Sequence, residues 1–302
     1  MPNIGKSVAI QLDSIVFATD FSPASQNAGL YASAVSVRFG TSLVVAHAFT
    51  LTQAALEVEA EKSLGSMQRA NLKLDLALTA QELKSGRGET ENVLLQGDPC
   101  REIPAFAQTR RPVLLVLGTH GRGSIDRYIL GSTAEHILRH SSGSTLTIGP
   151  NVDILHAGAM NIRRILYATD CSPDAAHAAP VAVALAEAFS SELDVLNVVH
   201  ASERDNLDDL HRLEAHFHDA VEAIMPNGAD GSRRIYQPQT FISAGRPHAD
   251  ILKHIDDREI DLLILGLHRN THLGMQNHTS GAFPIIVKAK CPVVTVARGA
   301  AS

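Results

Sequence analysis

Ile15-Val16-Phe17-Ala18-Thr19-Asp20-Phe21-Ser22-Pro23 is the stretch that decides the fold, because the chain repeats it 150 positions later as Ile165-Leu166-Tyr167-Ala168-Thr169-Asp170-Cys171-Ser172-Pro173. Each copy is a short apolar run, then a polar turn, then the Ser-Pro pair that commonly starts a helix. Further blocks repeat at nearly the same offset: Leu43–His47 with Leu193–Asn197, Gly97–Pro99 with Gly245–Pro247, and Val113–Gly118 with Asp261–Gly266. The period is far too long for a solenoid, so the chain is predicted to hold two tandem copies of one domain.

The composition agrees with two globular domains. The chain has 302 residues, enough for two domains of about 150 each. Hydrophobic residues make up 45% and charged residues 19%, so the chain can bury a core. A net charge of -6 argues against a protein that grips nucleic acid through its phosphates. No apolar run is long enough for a bilayer, and three scattered cysteines make no disulfide framework, so a reducing cytoplasm is the expected setting.

Apolar strands alternate with helical segments in the first copy. The predicted strands are Ser14–Thr19, Leu43–Ala48, Asn92–Gln96, Val113–Leu117 and Thr145–Ile148. The first predicted helix starts at Ser22-Pro23 and ends at Gly40, and the second runs from about Ala54 to Lys84. The third starts at Asp98-Pro99, and the fourth covers Ser132–His140. Such strands, joined by helical crossovers, predict a parallel sheet covered on both faces. The linker between the copies is expected within Pro150–Asn161.

Two loops of the first copy are candidates for a ligand site, because ligands bind beyond the carboxyl ends of parallel strands. Ala18-Thr19-Asp20 follows the first strand, and a glycine-rich segment from Gly118 to Ser124 follows the fourth and continues to Gly131–Thr133. Glycines let backbone N–H groups approach phosphate oxygens, and a helix that starts at Gly131-Ser132 favours an anion. An alternative needs no ligand: Ser132–Glu135 also fits a capping box.

Other functional motifs are absent from the sequence. It has no G-x-x-x-x-G-K-[ST] loop, and Gly121-Arg122-Gly123 lacks the third glycine of a dinucleotide fingerprint. No nucleophile stands beside an obvious base, so no catalytic residue is predicted. The 15 histidines are interpreted as solvated side chains rather than metal ligands.

Gly118, Gly121, Gly131 and Ser132 satisfy the pattern G-x2-G-x9-G-[ST], and Ala18–Ser22 satisfies A-T-D-x-S. With these motifs the sequence resembles the universal stress protein family, as two tandem copies over essentially the whole chain. The resemblance implies an α/β fold of two tandem Rossmann-like (adenine nucleotide α-hydrolase-like) domains, residues 1–152 and 160–302. Each would be a five-stranded, mainly parallel sheet flanked by helices, and the domains would pair through their last strands.

The resemblance also implies ATP as the ligand, either alone or together with a bound Mg²⁺ ion. Asp20 would contact the adenosine portion and the Ala48 backbone the adenine, while the glycine-rich segments would hold the phosphates. The implied site residues are Ala18, Thr19, Asp20, Ala48, Gly118, Thr119, His120, Gly121, Arg122, Gly123, Ser124, Gly131, Ser132 and Thr133.

The second copy departs from this pattern. Gly266 and Ser280 are retained, but Arg269, Thr271 and Thr279 stand where the first copy has Gly121, Gly123 and Gly131. Side chains at these positions would block close backbone approach to phosphate. The sequence therefore predicts a degenerate site in the second domain.

Three functions remain open from the sequence. The favoured one is an ATP-binding stress-response switch or sensor, with at most slow ATP hydrolysis, in which domain one binds ATP and domain two mainly pairs with it. The second is an adenine-nucleotide-using enzyme such as a slow ATPase or ATP pyrophosphatase, although Ala18–Ser22 does not provide the S-G-G-x-D-S loop of that class. The third is a nucleotide-free interaction scaffold. A homodimer and a regulatory protein partner are compatible with the sequence, and neither a nucleic acid nor a membrane partner is expected.

Overall fold

The computed structural model describes residues 12–50, 59–84, 89–110, 112–119, 130–155, 160–199, 207–225, 237–267 and 282–297. The strands of these ranges are β1 Ser14–Ala18, β2 Ser42–Phe49, β3 Thr90–Gln96, β4 Val113–Gly118, β5 Gly143–Ile148, β6 Arg164–Ala168, β7 Glu192–Val199, β8 Gln239–Ala244, β9 Leu262–Leu267 and β10 Val293–Ala297. They form one 10-stranded sheet in the order β3-β2-β1-β4-β5-β10-β9-β6-β7-β8. The fold is therefore two tandem α/β units that share a sheet, as the sequence predicts.

Helices cover both faces of this sheet. They are α1 Pro23–Phe39, α2 Glu59–Glu82, α3 Pro99–Gln108, α4 Ser132–His140, α5 Pro173–Ala176, α6 Ala179–Phe189, α7 Leu207–Ile224, α8 Pro247–Asp257 and α9 Ala282–Lys288. One face is packed by α1, α2, α6 and α7 around Phe17 and Tyr167, and the other by the remaining long helices. In the part of the chain that the structure describes, no helix is both long and apolar enough to span a membrane.

Three predicted helix ends depend on local caps at Ser22, Gly40 and Asp98, and the structure confirms these three. The Ser22 hydroxyl accepts a hydrogen bond from the Ser25 N–H at 3.2 Å, and Pro23 stands in the first turn of α1. Gly40 ends α1 in the left-handed conformation, at φ 62°. Asp98 caps α3 in the same way, with its carboxylate 3.0 Å from the Cys100 nitrogen. Each of these signals acts over three residues or fewer, so the sequence alone reveals it.

Three segments differ from their predicted limits by two residues or more. Strand β3 begins at Thr90, two residues before the predicted Asn92. The last strand of domain one begins at Gly143, two residues before the predicted Thr145, because Gly143 pairs with Ala297 of the other domain. The long helix α2 starts at Glu59, whereas the predicted start near Ala54 and the glycine break at 86–88 lie outside the described residues.

The two domains join through their last strands. Strands β5 and β10 pair antiparallel, with Thr145 opposite Thr295, whereas every other pair in the sheet is parallel. Helices α4 and α9 pack beside this seam, where the Arg139 guanidinium lies 4.6 Å from the centre of the Phe283 ring. On the opposite face the rings of Phe39 and Phe189 meet edge to face at 6.1 Å. The domains are thus bonded by a backbone ladder and packed together on both faces.

The first half of the linker is anchored to both domains. The Asn151 amide donates to the carbonyl oxygens of Val287 and Lys288, at 3.2 and 3.3 Å. The Tyr31 hydroxyl donates to the carbonyl of Asp153 at 3.2 Å, which holds the same segment against α1. These bonds fix where the chain leaves domain one.

The core of domain two contains an ionic cluster that domain one lacks. Asp194, whose side chain is 0% exposed, accepts hydrogen bonds from His254 Nε2 at 3.2 Å and from Arg258 Nε at 3.0 Å. The equivalent positions in domain one are Val44 and Phe106, which pack together as apolar side chains. The same fold thus has an apolar contact in one copy and a buried charge pair in the other.

The charge of Asp194 is stabilised by its partners. Burial acts to raise the pKa of Asp194, but the hydrogen bonds from His254 and Arg258 and the Arg258 charge outweigh it, so the pKa is lowered. A buried ion pair of this kind is strongly destabilised when one partner is removed, yet an apolar replacement of the whole pair is often neutral.

Arg258→Met is expected to lower the free energy of unfolding by about 3 kcal/mol, because it leaves the buried Asp194 carboxylate poorly compensated. In an Asp194→Val/His254→Phe background, which copies domain one, the same substitution is expected to cost less than about 1 kcal/mol. Urea unfolding of the four proteins measures this cycle. Equal costs in both backgrounds would show that the cluster has no coupling energy.

Acid unfolding tests the lowered pKa of Asp194. A carboxyl group with a depressed folded pKa stabilises the protein fully above its unfolded pKa of about 3.9, and this stabilisation is lost as the pH falls through the folded pKa. The difference in unfolding free energy between the wild type and Asp194→Asn should shrink as the pH falls below about 4. A difference that stays constant down to pH 2.5 would contradict this assignment.

Candidate functional site

The carboxyl ends of β1 and β4 meet in the middle of domain one. Ala18 of β1 lies beside Leu117 of β4, and the two strands run parallel. Helix α1 leaves β1 towards one face of the sheet and α4 follows β4 on the other. A crevice between strands whose helices diverge in this way is the usual ligand position in an open α/β sheet.

The turn from β1 into α1 is fixed by its own side chains. The Thr19 hydroxyl accepts from the Phe21 N–H at 3.0 Å, and the Asp20 carboxylate accepts from the N–H and the hydroxyl of Ser22, at 3.0 and 2.6 Å. Phe21 adopts a left-handed backbone conformation, at φ 61°. The turn therefore presents Asp20 at the edge of the crevice in a defined orientation.

The segment after β4 returns to the same edge. The Gly131 N–H donates to the Thr119 carbonyl at 2.8 Å, and the Thr119 N–H donates to the Ile148 carbonyl at 3.1 Å. The hydrogen bond across positions 119 and 131 brings the start of α4 directly to the end of β4. Residues 120–129, which lie between them, are outside the described residues.

Helix α4 begins without a capping side chain. Its N-cap residue is Gly131, and Ser132 is already the first helical residue. The alternative capping box of Ser132 and Glu135 is therefore not formed, and the Glu135 carboxylate pairs instead with Arg139 at 2.7 Å. Since the N-cap residue Gly131 brings no side chain of its own, the first N–H groups and the positive end of the helix dipole are suited to an anion.

Gly118 has a packing role that the sequence does not reveal. A Cβ atom at this position would lie 3.1 Å from the carbonyl oxygen of Ala24, in the first turn of α1. At Gly266 of domain two, a Cβ would lie 2.5 Å from the Cα of Ala175. Both glycines allow close contact between a strand end and a helix backbone, so their presence does not by itself require a ligand.

The structure places nine of the predicted site residues on this edge. Ala18, Thr19, Asp20, Ala48, Gly118, Thr119, Gly131, Ser132 and Thr133 all stand at the carboxyl ends of β1, β2 and β4 or at the start of α4. His120, Gly121, Arg122, Gly123 and Ser124 lie outside the described residues.

Two further residues at this edge were not predicted. His47 Nδ1 lies 2.7 Å from the Thr19 carbonyl oxygen, and its ring lies 4.6 Å from that of Phe21. Cys100 makes a hydrogen bond with Thr133, and burial, followed by the charge of Asp98, raises the pKa of its thiol. A polar residue inside an apolar strand was the signal for His47, whereas the contact of Cys100 with α4 leaves no mark in the sequence.

The matching edge of domain two is described only in part. Asp170 accepts from the Ser172 N–H at 2.9 Å, so it holds its turn as Asp20 does. The substituted positions Arg269, Thr271 and Thr279, and Ser280, lie outside the described residues. The degenerate site of domain two therefore stays a prediction.

Comparison with known proteins identifies relatives for both halves. The model of the universal stress protein family matches residues 12–149 and again 161–297. A universal stress protein of Methanocaldococcus jannaschii is 34% identical over 55 residues, which are 18% of this chain. The match spans 32% of that relative's length, about a third, so it transfers no activity of the whole protein.

Solved structures show the same architecture at low sequence identity. A universal stress protein from Archaeoglobus fulgidus has a TM-score of 0.68 at 19% identity, over 97% of this chain and 98% of that one. A functionally unknown protein from Pseudomonas aeruginosa has a TM-score of 0.59 at 13% identity, over 94% and 92%. These similarities establish the fold of the chain.

Gly118→Ala is expected to lower the free energy of unfolding by about 1 to 3 kcal/mol, because the added methyl group pushes on the backbone of α1. Gly266→Ala should cost more, since its Cβ would approach Ala175 more closely. Urea unfolding measures both. Gly40→Asn is the control, because its Cβ would meet nothing within 4 Å and asparagine tolerates a left-handed cap. If Gly118→Ala were as stable as the wild type, the packing role would be wrong.

Proposed function

The chain belongs to the universal stress protein family, and from this premise we propose that it is an ATP-binding stress-response protein whose first domain holds the nucleotide. The proposal rests mainly on one observation. Helix α4 starts at the β1–β4 crevice with a glycine as its N-cap residue, which brings no capping side chain, and the bond from Gly131 to Thr119 keeps it there. An uncapped helix N-terminus at a switch point is suited to a phosphate group.

The described residues also suit the rest of an adenine nucleotide. The Asp20 carboxylate, oriented by Ser22, is a hydrogen-bond acceptor for hydroxyl groups of the adenosine portion. The backbone of Ala48, near the end of β2, would face the adenine. The hydroxyls of Ser132 and Thr133 at the start of α4 would join its N–H groups around the phosphates, and Mg²⁺ bound to those phosphates would neutralise part of their charge.

The nucleotide is proposed to act as a switch rather than as a substrate. No residue at the described edge is assigned a catalytic role, so we expect ATP hydrolysis to be slow at most. Domain two serves mainly as the structural partner of domain one through β5 and β10. The cytoplasmic setting, a homodimer and a regulatory protein partner stay predictions; in the structure Cys100, Cys171 and Cys291 are all free thiols.

Gly131→Asp is the sharpest test of the phosphate assignment. Gly131 has φ -59° and ψ 139°, which any residue adopts, so aspartate there should cap α4 and keep stability within about 1 kcal/mol of the wild type. Its carboxylate would occupy and repel the phosphate position, so ATP affinity is expected to fall by about tenfold or more, roughly 1.4 kcal/mol. Isothermal titration measures the affinity.

Gly131→Asn is the matched control, because it has the shape of aspartate without the charge. It should bind ATP more tightly than Gly131→Asp does, and ATP should raise the Tm of the wild type. Unchanged affinity in both variants would refute the phosphate site.

Mass spectrometry of material released by denaturant identifies any nucleotide carried by the purified chain. Rapid steady-state hydrolysis would support the enzyme alternative, and no binding at all would support the scaffold.

A further inference from the structure

His47 lies on the α1 side of the turn that carries Asp20. Side chains alternate along a strand, so His47 shares its face of β2 with Leu43 and Val45, which pack against α1. His47 Nδ1 is 2.7 Å from the Thr19 carbonyl oxygen, and since a carbonyl only accepts, Nδ1 carries the hydrogen. The imidazole therefore donates to the residue just before Asp20.

Both backbone polar groups of Thr19 are bonded to β2. The Thr19 N–H donates to the Ala46 carbonyl at 2.9 Å, which continues the backbone ladder beyond the end of β1. The Thr19 carbonyl is held by a side chain, the imidazole of His47. Thr19 is buried, so removal of the imidazole would take from its carbonyl the donor that it has in the structure.

The Thr19 carbonyl sets the direction of Asp20. A peptide unit is planar, so the Thr19 carbonyl oxygen lies in one plane with the nitrogen and the Cα of Asp20. The bond from His47 holds that oxygen and thereby fixes the plane from which the Asp20 side chain projects. On its other side the Asp20 carboxylate accepts from the Ser22 hydroxyl at 2.6 Å.

The same imidazole packs against Phe21, the next residue of the turn. Phe21 has a left-handed backbone, at φ 61°, which is uncommon for a residue with a side chain. Its ring centre lies 4.6 Å from that of His47, with 42° between the ring planes. His47 thus contacts the turn on both sides of Asp20, through a hydrogen bond before it and a ring contact after it.

Domain two forms the same turn without this pair of rings. Asn197 and Cys171 stand where domain one has His47 and Phe21. Cys171 still adopts the left-handed conformation, at φ 58°, and its N–H donates to a threonine hydroxyl at 3.0 Å. Since the turn forms without an imidazole, the fold does not account for His47. The pair of rings belongs to the copy with the complete glycine pattern.

We propose that His47 is a positioning residue of the nucleotide site. It holds the peptide between Thr19 and Asp20 so that the Asp20 carboxylate accepts hydrogen bonds from the ribose hydroxyls. This inference rests on the proposed function, which assigns Asp20 to the adenosine portion of ATP. His47 acts through the turn and not by contact with the ligand, so it governs recognition of the sugar and not of the phosphates at α4.

Titration calorimetry of the full-length chain with ATP and with 2′,3′-dideoxy-ATP, which lacks both ribose hydroxyls, tests this role. The wild type should bind ATP at least about tenfold more tightly than the dideoxy nucleotide, because a hydrogen bond to a charged acceptor is strong. His47→Leu removes the donor and should reduce this preference to about twofold or less. A general loss of stability would weaken both nucleotides alike, so the ratio of affinities isolates the positioning role.

His47→Asn and His47→Gln form a matched pair that identifies the atom responsible. The asparagine amide nitrogen is attached to Cγ as Nδ1 is, so this variant keeps a donor near the Thr19 carbonyl and should retain most of the preference for ATP. The glutamine nitrogen lies one carbon further out, so that variant should lose the preference as His47→Leu does. Circular dichroism and thermal melts check that each variant is folded, and His47→Gln carries the test if His47→Leu is not.

Gly131→Asp is the control for the phosphate side. It should weaken ATP and the dideoxy nucleotide by similar factors and leave their ratio unchanged. The positioning role is overturned if the wild type binds both nucleotides equally, if the folded His47→Leu or His47→Gln variant keeps the wild-type preference, or if His47→Asn loses as much of it as they do. A wild type that binds neither nucleotide overturns the proposed function itself.

Discussion

The antiparallel ladder between β5 and β10 is the interaction on which the rest of the structure depends. Without it each domain would end in a strand with unpaired backbone groups, which invites association with other chains. The ladder supplies that missing partner within one chain and makes a single sheet. It also brings α4 and α9 together, so that Leu138 and Ile286 share one apolar core across the seam.

The direction of this ladder determines where the carboxyl ends of the strands lie in the two domains. Within each domain all strands run parallel, so their carboxyl ends share one edge. Strands β5 and β10 run in opposite directions. The carboxyl ends of the domain-one strands and those of the domain-two strands therefore lie at opposite edges of the sheet, not on opposite faces. Substitution at one edge therefore leaves the other untouched. This separation explains how the second copy can carry Arg269, Thr271 and Thr279 where the first has glycines while the pair of domains stays intact.

The two copies show which features the fold requires and which it tolerates. Gly118 and Gly266 stand at matching positions, and at both a Cβ atom would press on the backbone of the helix after the first strand of its domain, more closely at Gly266. Val44 and Asp194 also match, yet one is an apolar core residue and the other a buried carboxylate held by His254 and Arg258. At the two glycines the close backbone contact disfavours any larger residue. At the position of Val44 and Asp194 a different side chain is accommodated when the side chains packed against it change as well.

The sequence by itself determined the tandem repeat, the alternation of strands and helices, the caps at Ser22 and Asp98, and the family. These features depend on residues a few positions apart or on repetition along the chain. Only the tertiary structure decided that β5 starts at Gly143 and that Gly131 rather than Ser132 is the N-cap residue of α4. It alone also showed the cluster around Asp194. Each of these depends on partners distant in the sequence or on side-chain orientation, and local periodicity carries no information about either.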